Sequence, residues 1–468
     1  MRQLSPQMTV AVMVFVAGAL SAPWHANLSD THVKIAVANR VLEGRGLSID
    51  GAGFEGQYTV TGRGGHQYAS YPILDCLMYL PTAGLSKLGI RCDPLPNLVM
   101  VAIVAWLLTI LGLRAGVDLP AAVFGTLLAI FGTPVFAMAC YGYDNLVANI
   151  GLAAILVVAI RPFKTWAWLL VGLVLGLCLL TREDAALMIV PAFIGALSQP
   201  QSRGRHRGRS LLELSVGGAP SVLITVVYRM YRFDVNTSRV HEAQAMFAPF
   251  LSRQHLLGII GLTLSPGKGL LWYSLPLIFA IGVGAFVYRR WPAVLAIISS
   301  YAVAELLFHG SFIYWHGDWC WGPRYAAGVF LLVLPAGWWL YPRIHRPPGR
   351  SFATTVIVLA ALLQAPALFL DPVNVMLGSV AGPLKGLGLL TATTIRQPPP
   401  PADQWVLYFA PSRSPVVLVW KEMAAQFRWI AVDWEVESAL LRALIAPLLV
   451  GLCIRRIERA QPLPVTAT

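Results

Sequence analysis

The sequence predicts an all-α integral membrane fold of about twelve transmembrane helices, with a long first extracytoplasmic loop bearing juxtamembrane helices. Three observations carry that prediction. Apolar runs of nearly 20 residues recur along the 468-residue chain, the length needed to cross a hydrocarbon core of roughly 30 Å. Only 12% of the residues are charged, against about 25% in soluble domains, and mean hydropathy is +0.65. Dense basic clusters also fall on alternate connections between the runs, the asymmetry expected of cytoplasmic loops.

Taken in order, spans are expected at 7–24, 97–114, 119–140, 146–160, 166–181, 185–198, 211–230, 270–288, 292–309, 325–341, 352–370 and 438–454. The first run, Met8 to Ala22, is read as an anchor. Leu20-Ser21-Ala22 departs from the small-x-small pattern that precedes a signal cleavage point. Pro72 to Ile90 is ambiguous, because Asp75, Pro81 and Lys87 interrupt it and it can either span or lie along the surface. Charge asymmetry decides for the surface. With a cytoplasmic N-terminus, Arg161 and Lys164, Arg203 to Arg209, Arg289 and Arg290, Arg343 to Arg350 and Arg455 to Arg459 then all face the cytoplasm. The expectation is a multi-pass protein of the inner (cell) membrane with both termini cytoplasmic. Residues 1–370 form its main transmembrane module, 371–437 an extracytoplasmic segment with a Pro398–Pro401 linker, and 438–468 a last helix and tail.

The formal net charge of +13 does not indicate nucleic acid, since the densest run, RGRHRGR at 203–209, sits between two apolar segments and faces anionic membrane lipid. Six cysteines occur singly, without metal-type spacing. Cys76, Cys140, Cys178 and Cys453 lie in apolar runs as small core residues. Cys92 and Cys320 fall nearer the outer face, where pairing is open but not required.

Candidate chemistry collects in the outer connections. Asp30 follows the first span and begins a helix with Val33, Val37 and Val41 on one face. Ser29 or Asp30 can cap that helix, and a carboxylate fixed at the membrane boundary can equally act as a general base. Asp144 sits in the turn YGYDN, either solvated or capping, and shares its side of the membrane with Asp30. Arg182, Glu183 and Asp184 form the turn TRED. It reads either as a solvated local ion pair or as a place where Arg182 turns its planar fork on phosphate oxygens. In WHGDWCWGPRY, Trp315, Trp319, Trp321 and Tyr325 suit an interfacial belt, which does not by itself call for His316, Asp318 and Arg324. The alternative is a sugar and phosphate site, with Trp faces on the sugar and Arg324 on the phosphate. His316 and Asp318 offer two metal ligands with no third in view, so no cofactor is required and a divalent metal stays open. In GGHQYASYP, His66, Tyr68 and Tyr71 precede Pro72 and the surface run, where the glycines and Pro72 argue for a turn.

Together these features resemble the GT-C class of integral-membrane glycosyltransferases, in particular bacterial relatives of protein O-mannosyltransferases and aminoarabinose transferases. The resemblance rests on Asp30 after the first span, HQYASYP ending the first loop, YGYDN, the Gly-rich span ending in TRED, and WGPRY opening a later helix. It covers residues 8–345 and leaves 371–437 unmatched. It implies a polyprenyl-phosphate sugar donor and a glycan, lipid or protein acceptor used at the extracytoplasmic face. Asp30 would be the base, Asp144 the assisting acid, and Arg182 and Arg324 the donor-phosphate contacts. His66, Tyr68, Tyr71, Trp315, His316, Asp318, Trp321 and Tyr325 would line the substrate region. Asp30 stands alone between Ser29 and Thr31 where many relatives carry paired acids, a departure that favours a metal-free reaction.

Two other readings compete. A lipid or sugar transporter would place ionisable groups near the bilayer midplane and often show repeated halves. Only Glu305 approaches the first condition, and no repeat is visible. An inactive scaffold of an envelope complex is the third.

Overall fold

The computed structural model describes residues 5–23, 29–53, 58–161, 166–198, 207–232, 253–312, 315, 321–344, 349–369 and 417. The expected span at 438–454, nearly all of 371–437, and His316, Asp318, Trp319, Cys320 and Cys453 lie outside these residues.

The chain is an all-α membrane protein. Leu95–Arg114, Arg207–Arg232, Pro292–Gly310 and the continuous run Arg324–Ile344 are each long and apolar enough to cross a bilayer. Shorter apolar helices pack among them, including α1 (Pro6–Ser21), Leu119–Phe131, α8 (Leu146–Ile160) and α9 (Ala167–Thr181). Their outward faces are apolar and their polar groups point inward. In α1, Met8, Val12, Val16 and Leu20 recur every four residues on the exposed side, while Val10, Val14 and Ala17 are buried. A water-soluble fold rarely leaves such stripes bare, whereas lipid solvates them.

Several expected spans are broken. The run at 119–140 stops at Phe131 and resumes as α7 (Val135–Cys140), because Pro134 has no amide to donate and Thr133 Oγ1 accepts from the Val135 amide at 3.3 Å instead. The run at 270–288 divides into Leu270–Tyr273, Leu275–Gly282 and Gly284–Arg290. Residues 185–198 enter through a tight 3₁₀ turn, Glu183–Met188, before Ile189–Ser198. The ambiguous stretch after Pro72 forms two short helices, α3 (Ile73–Leu77) and α4 (Leu80–Lys87). At about 1.5 Å per residue neither approaches bilayer thickness. Cys92 is buried with a free thiol.

Close helix contacts rest on glycine. Between α9 and α11 (Arg207–Arg232), a Cβ on Gly172 would strike the Leu214 carbonyl and one on Gly217 the Leu169 carbonyl. Small residues let two backbones approach in this way where lipid provides no hydrophobic drive for helix association.

Helix direction separates two ends of the bundle. At one end, Arg114 donates to the carbonyls of Val157 and Arg161 at 2.8 and 2.5 Å, and the Trp291 indole donates to Ala115. Arg161 and Arg290 lie at this end because α8 and the run ending at Arg290 finish there. The opposite end gathers the starts of α2 (Ser29–Leu42), α8 and the 324–344 run, and the C-termini of α7, α9 and α16 (Pro292–Gly310).

Among the described residues, one hairpin is not helical. Thr59–Thr61 pairs antiparallel with Gln67–Ala69 in the register Thr59 with Ala69, around a turn at Arg63–Gly65. The sequence reading anticipates the glycine turn but not its strands. Buried Arg232 at the end of α11 donates to the carbonyls of Ala69 and Tyr71 at 2.7 and 3.0 Å, which fastens the hairpin to the bundle.

Candidate functional site

The site is assembled from helix ends that are distant in sequence. Helix α2 buries Thr31, Val33, Lys34, Val37 and Ala38. An ammonium on the inward side of such a helix needs anionic partners, and Lys34 has two. Its Nζ lies 2.8 Å from Asp144 Oδ2 and 2.8 Å from Asp75 Oδ2. The bond to Asp144 has hydrogen-bond geometry. The contact with Asp75 is an ion-pair approach off the hydrogen-bond direction, and neither Asp75 oxygen accepts a hydrogen bond from a well-aligned donor.

Asp144 is presented by the turn between α7 and α8. Gly142 there has φ +81°, and a Cβ on it would lie 3.4 Å from Thr31 Oγ1, so this turn against α2 suits glycine. The second oxygen of Asp144 accepts from Arg182 Nη1 at 2.5 Å. The same guanidinium closes a two-point fork on Asp184, Nε to Oδ1 at 2.9 Å and Nη2 to Oδ2 at 2.6 Å. TRED therefore forms the local ion pair, Arg182 with Asp184, but part-buried, and only Glu183 is exposed. Arg182 and Asp184 are 18% and 19% exposed in their side chains, and Arg182 is held by carboxylates on both sides.

Beyond Asp184, His309 Nε2 lies 3.3 Å from Oδ2, and the His309 ring stacks on Tyr325 with centroids 4.8 Å apart and planes at 6°. Arg324 sits over Tyr325 and Tyr143 at 5.1 and 5.5 Å, and its Nη1 is 4.0 Å from Asp30 Oδ2. Asp30 precedes Lys34 by one turn of α2. The contacts thus close a ring: Asp30, Lys34, Asp144, Arg182, Asp184, His309, Tyr325, Arg324 and back to Asp30, with Asp75 behind Lys34.

Electrostatics divides the acids. Burial opposes charge on Asp144, but Arg182 and Lys34 outweigh it and hold the carboxyl well below the usual range. Burial is likewise overcome at Asp184 by Arg182 and His309, again lowering it. Burial lowers the Lys34 ammonium, yet Asp144 and Asp75 raise it well above its ordinary value. Arg182 behaves the same way between Asp144 and Asp184. At Asp75, burial dominates Lys34 and lifts the carboxyl well above the usual range. Asp30 differs from these in its partners. Its Oδ1 accepts from the Thr31 amide at 3.2 Å, a helix-start contact of capping type, and Oδ2 has Arg324 at 4.0 Å.

Beside the ring, Asn145, Arg182, Asp184, Tyr301 and Glu305 line a cavity with room for about one water molecule. Glu305 Oε1 accepts from the Tyr301 hydroxyl at 2.8 Å, and Oε2 has no partner.

Of the residues expected from sequence, Asp30, Asp144, Arg182, Arg324 and Tyr325 stand in the ring, and Tyr71 joins it with its ring centroid 4.5 Å from Lys34 Nζ. The structure does not bring the others to it. His66 Nδ1 pairs with Asp50 Oδ2 at 2.7 Å on the exposed hairpin, and Tyr68 is buried edge-on to Tyr231. Trp315 is buried over Gly261. Trp321 is buried, donating to Gln364 Oε1 at 3.0 Å and packing edge-on to Tyr273. A buried indole N–H seeks such an acceptor, and both Trp faces are committed to packing. His316 and Asp318 fall outside the described residues.

Sequence reasoning missed Lys34, Tyr143 and His309, and treated Asp75 and Asp184 only as interruptions or turn residues. A signal existed for two of them. Asp75 is a lone acid in the apolar run YPILDCLMYL, and Lys34 adjoins the valine stripe of α2. Each is a charge that burial obliges to find a partner. Among the described residues, no three His, Cys, Asp or Glu side chains converge as metal ligands. No family model, curated protein or solved structure matches this chain.

Proposed function

We propose that this protein is a polytopic membrane glycosyltransferase that moves a sugar from a polyprenyl-phosphate donor to an acceptor hydroxyl at the extracytoplasmic face. The reading includes about twelve spans, counting 438–454, with both termini cytoplasmic and the ring of Asp30 and Arg182 on the far side. The observation that carries it is the pairing of Asp30 with Arg324 at 4.0 Å, at a bundle end opposite Arg161 and Arg290.

The geometry favours a division of labour. Asp144 and Arg182 are bound to each other, and to Lys34 and Asp184, so they support the site as an electrostatic frame. Arg324 is held by two tyrosine faces and has a long contact to Asp30, so it is the arginine better suited to a donor phosphate. In the reaction, the acceptor hydroxyl approaches the anomeric carbon opposite the phosphate and Asp30 removes its proton. The carbon–oxygen bond to the phosphate breaks through an oxocarbenium-like transition state. Arg324 stabilises the charge that gathers on the departing phosphate. The test is transfer of labelled sugar from a polyprenyl-phosphate donor by purified protein. Transfer at the wild-type rate by Asp30→Asn would remove the base assignment.

A transporter is the second reading, favoured by one feature. Glu305 lies inside a spanning helix with an unpartnered oxygen at a water-sized cavity. Uptake or lipid movement in vesicles, without transfer of the sugar, would select it.

A further inference from the structure

Asp75 occupies a position that the proposed chemistry does not use. It is 0% exposed, it touches Lys34 at 2.8 Å without an aligned hydrogen bond, and it shares that single ammonium with Asp144. Asp144 has Arg182 as a second cation. Asp75 has none in contact among the described residues. If Asp75, Asp144 and Asp184 were all ionised, Asp144 would draw on Lys34 and Arg182, and Asp184 on Arg182 with His309 beside it, while Asp75 would have only its share of Lys34. The least compensated charge would lie on the acid most deeply buried and without an aligned donor. Such a charge is costly in a low-dielectric interior and is relieved by taking up a proton.

Resting on the proposed function, we infer that Asp75 is a positioning residue held as a neutral carboxylic acid against Lys34, which it locks in place. Asp75 acts through Lys34, whose ammonium fixes α2 and so fixes Asp30 one turn earlier. The groups around Asp75 are Lys34 on α2, its neighbours Cys76 and Tyr79, and Asp144 in the turn, with Arg232 from α11 acting on Cys76 and with Asp30 and Tyr71 acting on Lys34. Burial raises this carboxyl, Lys34 opposes, and the charge of Asp144 adds to the rise. Its folded value exceeds its unfolded one. The stability it contributes is therefore complete below the ordinary carboxylate range and declines as pH rises through the folded value.

Asp75→Asn copies the neutral acid, since the amide N–H₂ replaces the O–H donor. Purified Asp75→Asn should keep the wild-type unfolding midpoint and transfer sugar within about twofold of wild type at neutral pH. It should also lack the alkaline fall in transfer that is expected of the wild type. Lys34→Met should lose stability and activity, and Lys34→Met/Asp75→Asn should be no better. The infrared carbonyl band of a protonated carboxyl should be present in the wild type and absent from Asp75→Asn. Failure of Asp75→Asn to fold, rescue of Lys34→Met by Asp75→Asn, an unchanged alkaline limb, or an unchanged infrared band would each overturn the inference. Were the wild type to transfer no sugar at all, the proposed function would fall, while midpoint, rescue and infrared band would still judge Asp75.

Discussion

Lys34 Nζ and Asp144 Oδ2 lie 2.8 Å apart although 110 positions separate them in the chain. The bond ties the first-loop helix to the turn between two membrane helices and sets where the start of α2 sits. Asp30 rides on that start, so the carboxylate of the ring with no close cation is placed by a salt bridge it does not itself make.

Asp30→Asn should preserve the fold, with a stability change below about 1 kcal/mol, because the amide oxygen can still accept from the Thr31 amide and only a 4.0 Å charge approach to Arg324 is weakened. Under the proposed reaction its sugar transfer should fall by roughly 10²- to 10⁴-fold. Initial rates and denaturant midpoints, measured on the same preparation, separate the two effects.

Arg324 and Arg182 should respond differently to truncation. Arg324→Ala should reduce transfer by roughly 10²- to 10³-fold with little change in folding, as expected when a leaving-group contact is removed. Arg182→Ala should instead destabilise by about 3–5 kcal/mol, because Asp144 and Asp184 lose the guanidinium that joins them in a largely buried place. Equal stability losses for the two variants would contradict the frame-and-contact division.

Acid should unfold the ring through Asp144 and Asp184. Both carboxyls titrate below their unfolded values in the folded chain, so the stability they contribute is present above the ordinary carboxylate range and lost as pH falls through the folded values. Thermal midpoints from neutral pH to pH about 3 should drop in the wild type, and drop less steeply in Asp184→Asn, which starts lower.

Gly142→Ala should cost about 1–2 kcal/mol, the usual penalty for a side chain at φ +81°, with its methyl set against Thr31 Oγ1. Gly217→Leu should be worse, since the new side chain meets the Leu169 carbonyl where α9 and α11 touch. Expression and unfolding midpoints in detergent report both.

Single cysteines at positions 32 and 290, both exposed and at opposite bundle ends, should be labelled from opposite sides by an impermeant thiol reagent in a cysteine-free background. Labelling from the same side would remove the sidedness on which the proposed function depends.

Legibility in the sequence followed the range of the interactions. Among the described residues, apolar run length located the helices because each run is judged against the bilayer alone, and the runs are broken at Pro134, in the Leu270–Arg290 stretch and at the 3₁₀ turn Glu183–Met188. Asp30, Asp144, Arg182 and Arg324 were visible as charges at run ends. Their partners were not, since Lys34 shows in sequence as a charge beside a valine stripe but not which acids it meets, and His309 reads as the last turn of a helix. Trp321 shows the opposite error, for an aromatic that reads as a surface platform is spent on Gln364 and Tyr273 inside the bundle.

By itself the sequence determined the membrane class, the helical build and the charge asymmetry between connections, all of which are sums over neighbouring residues and need no knowledge of packing. Only the tertiary structure decided which acids are neutralised and which stays open. That choice depends on helix ends more than a hundred positions apart meeting at hydrogen-bond distance, where a buried charge is tolerable only if its partner arrives with it.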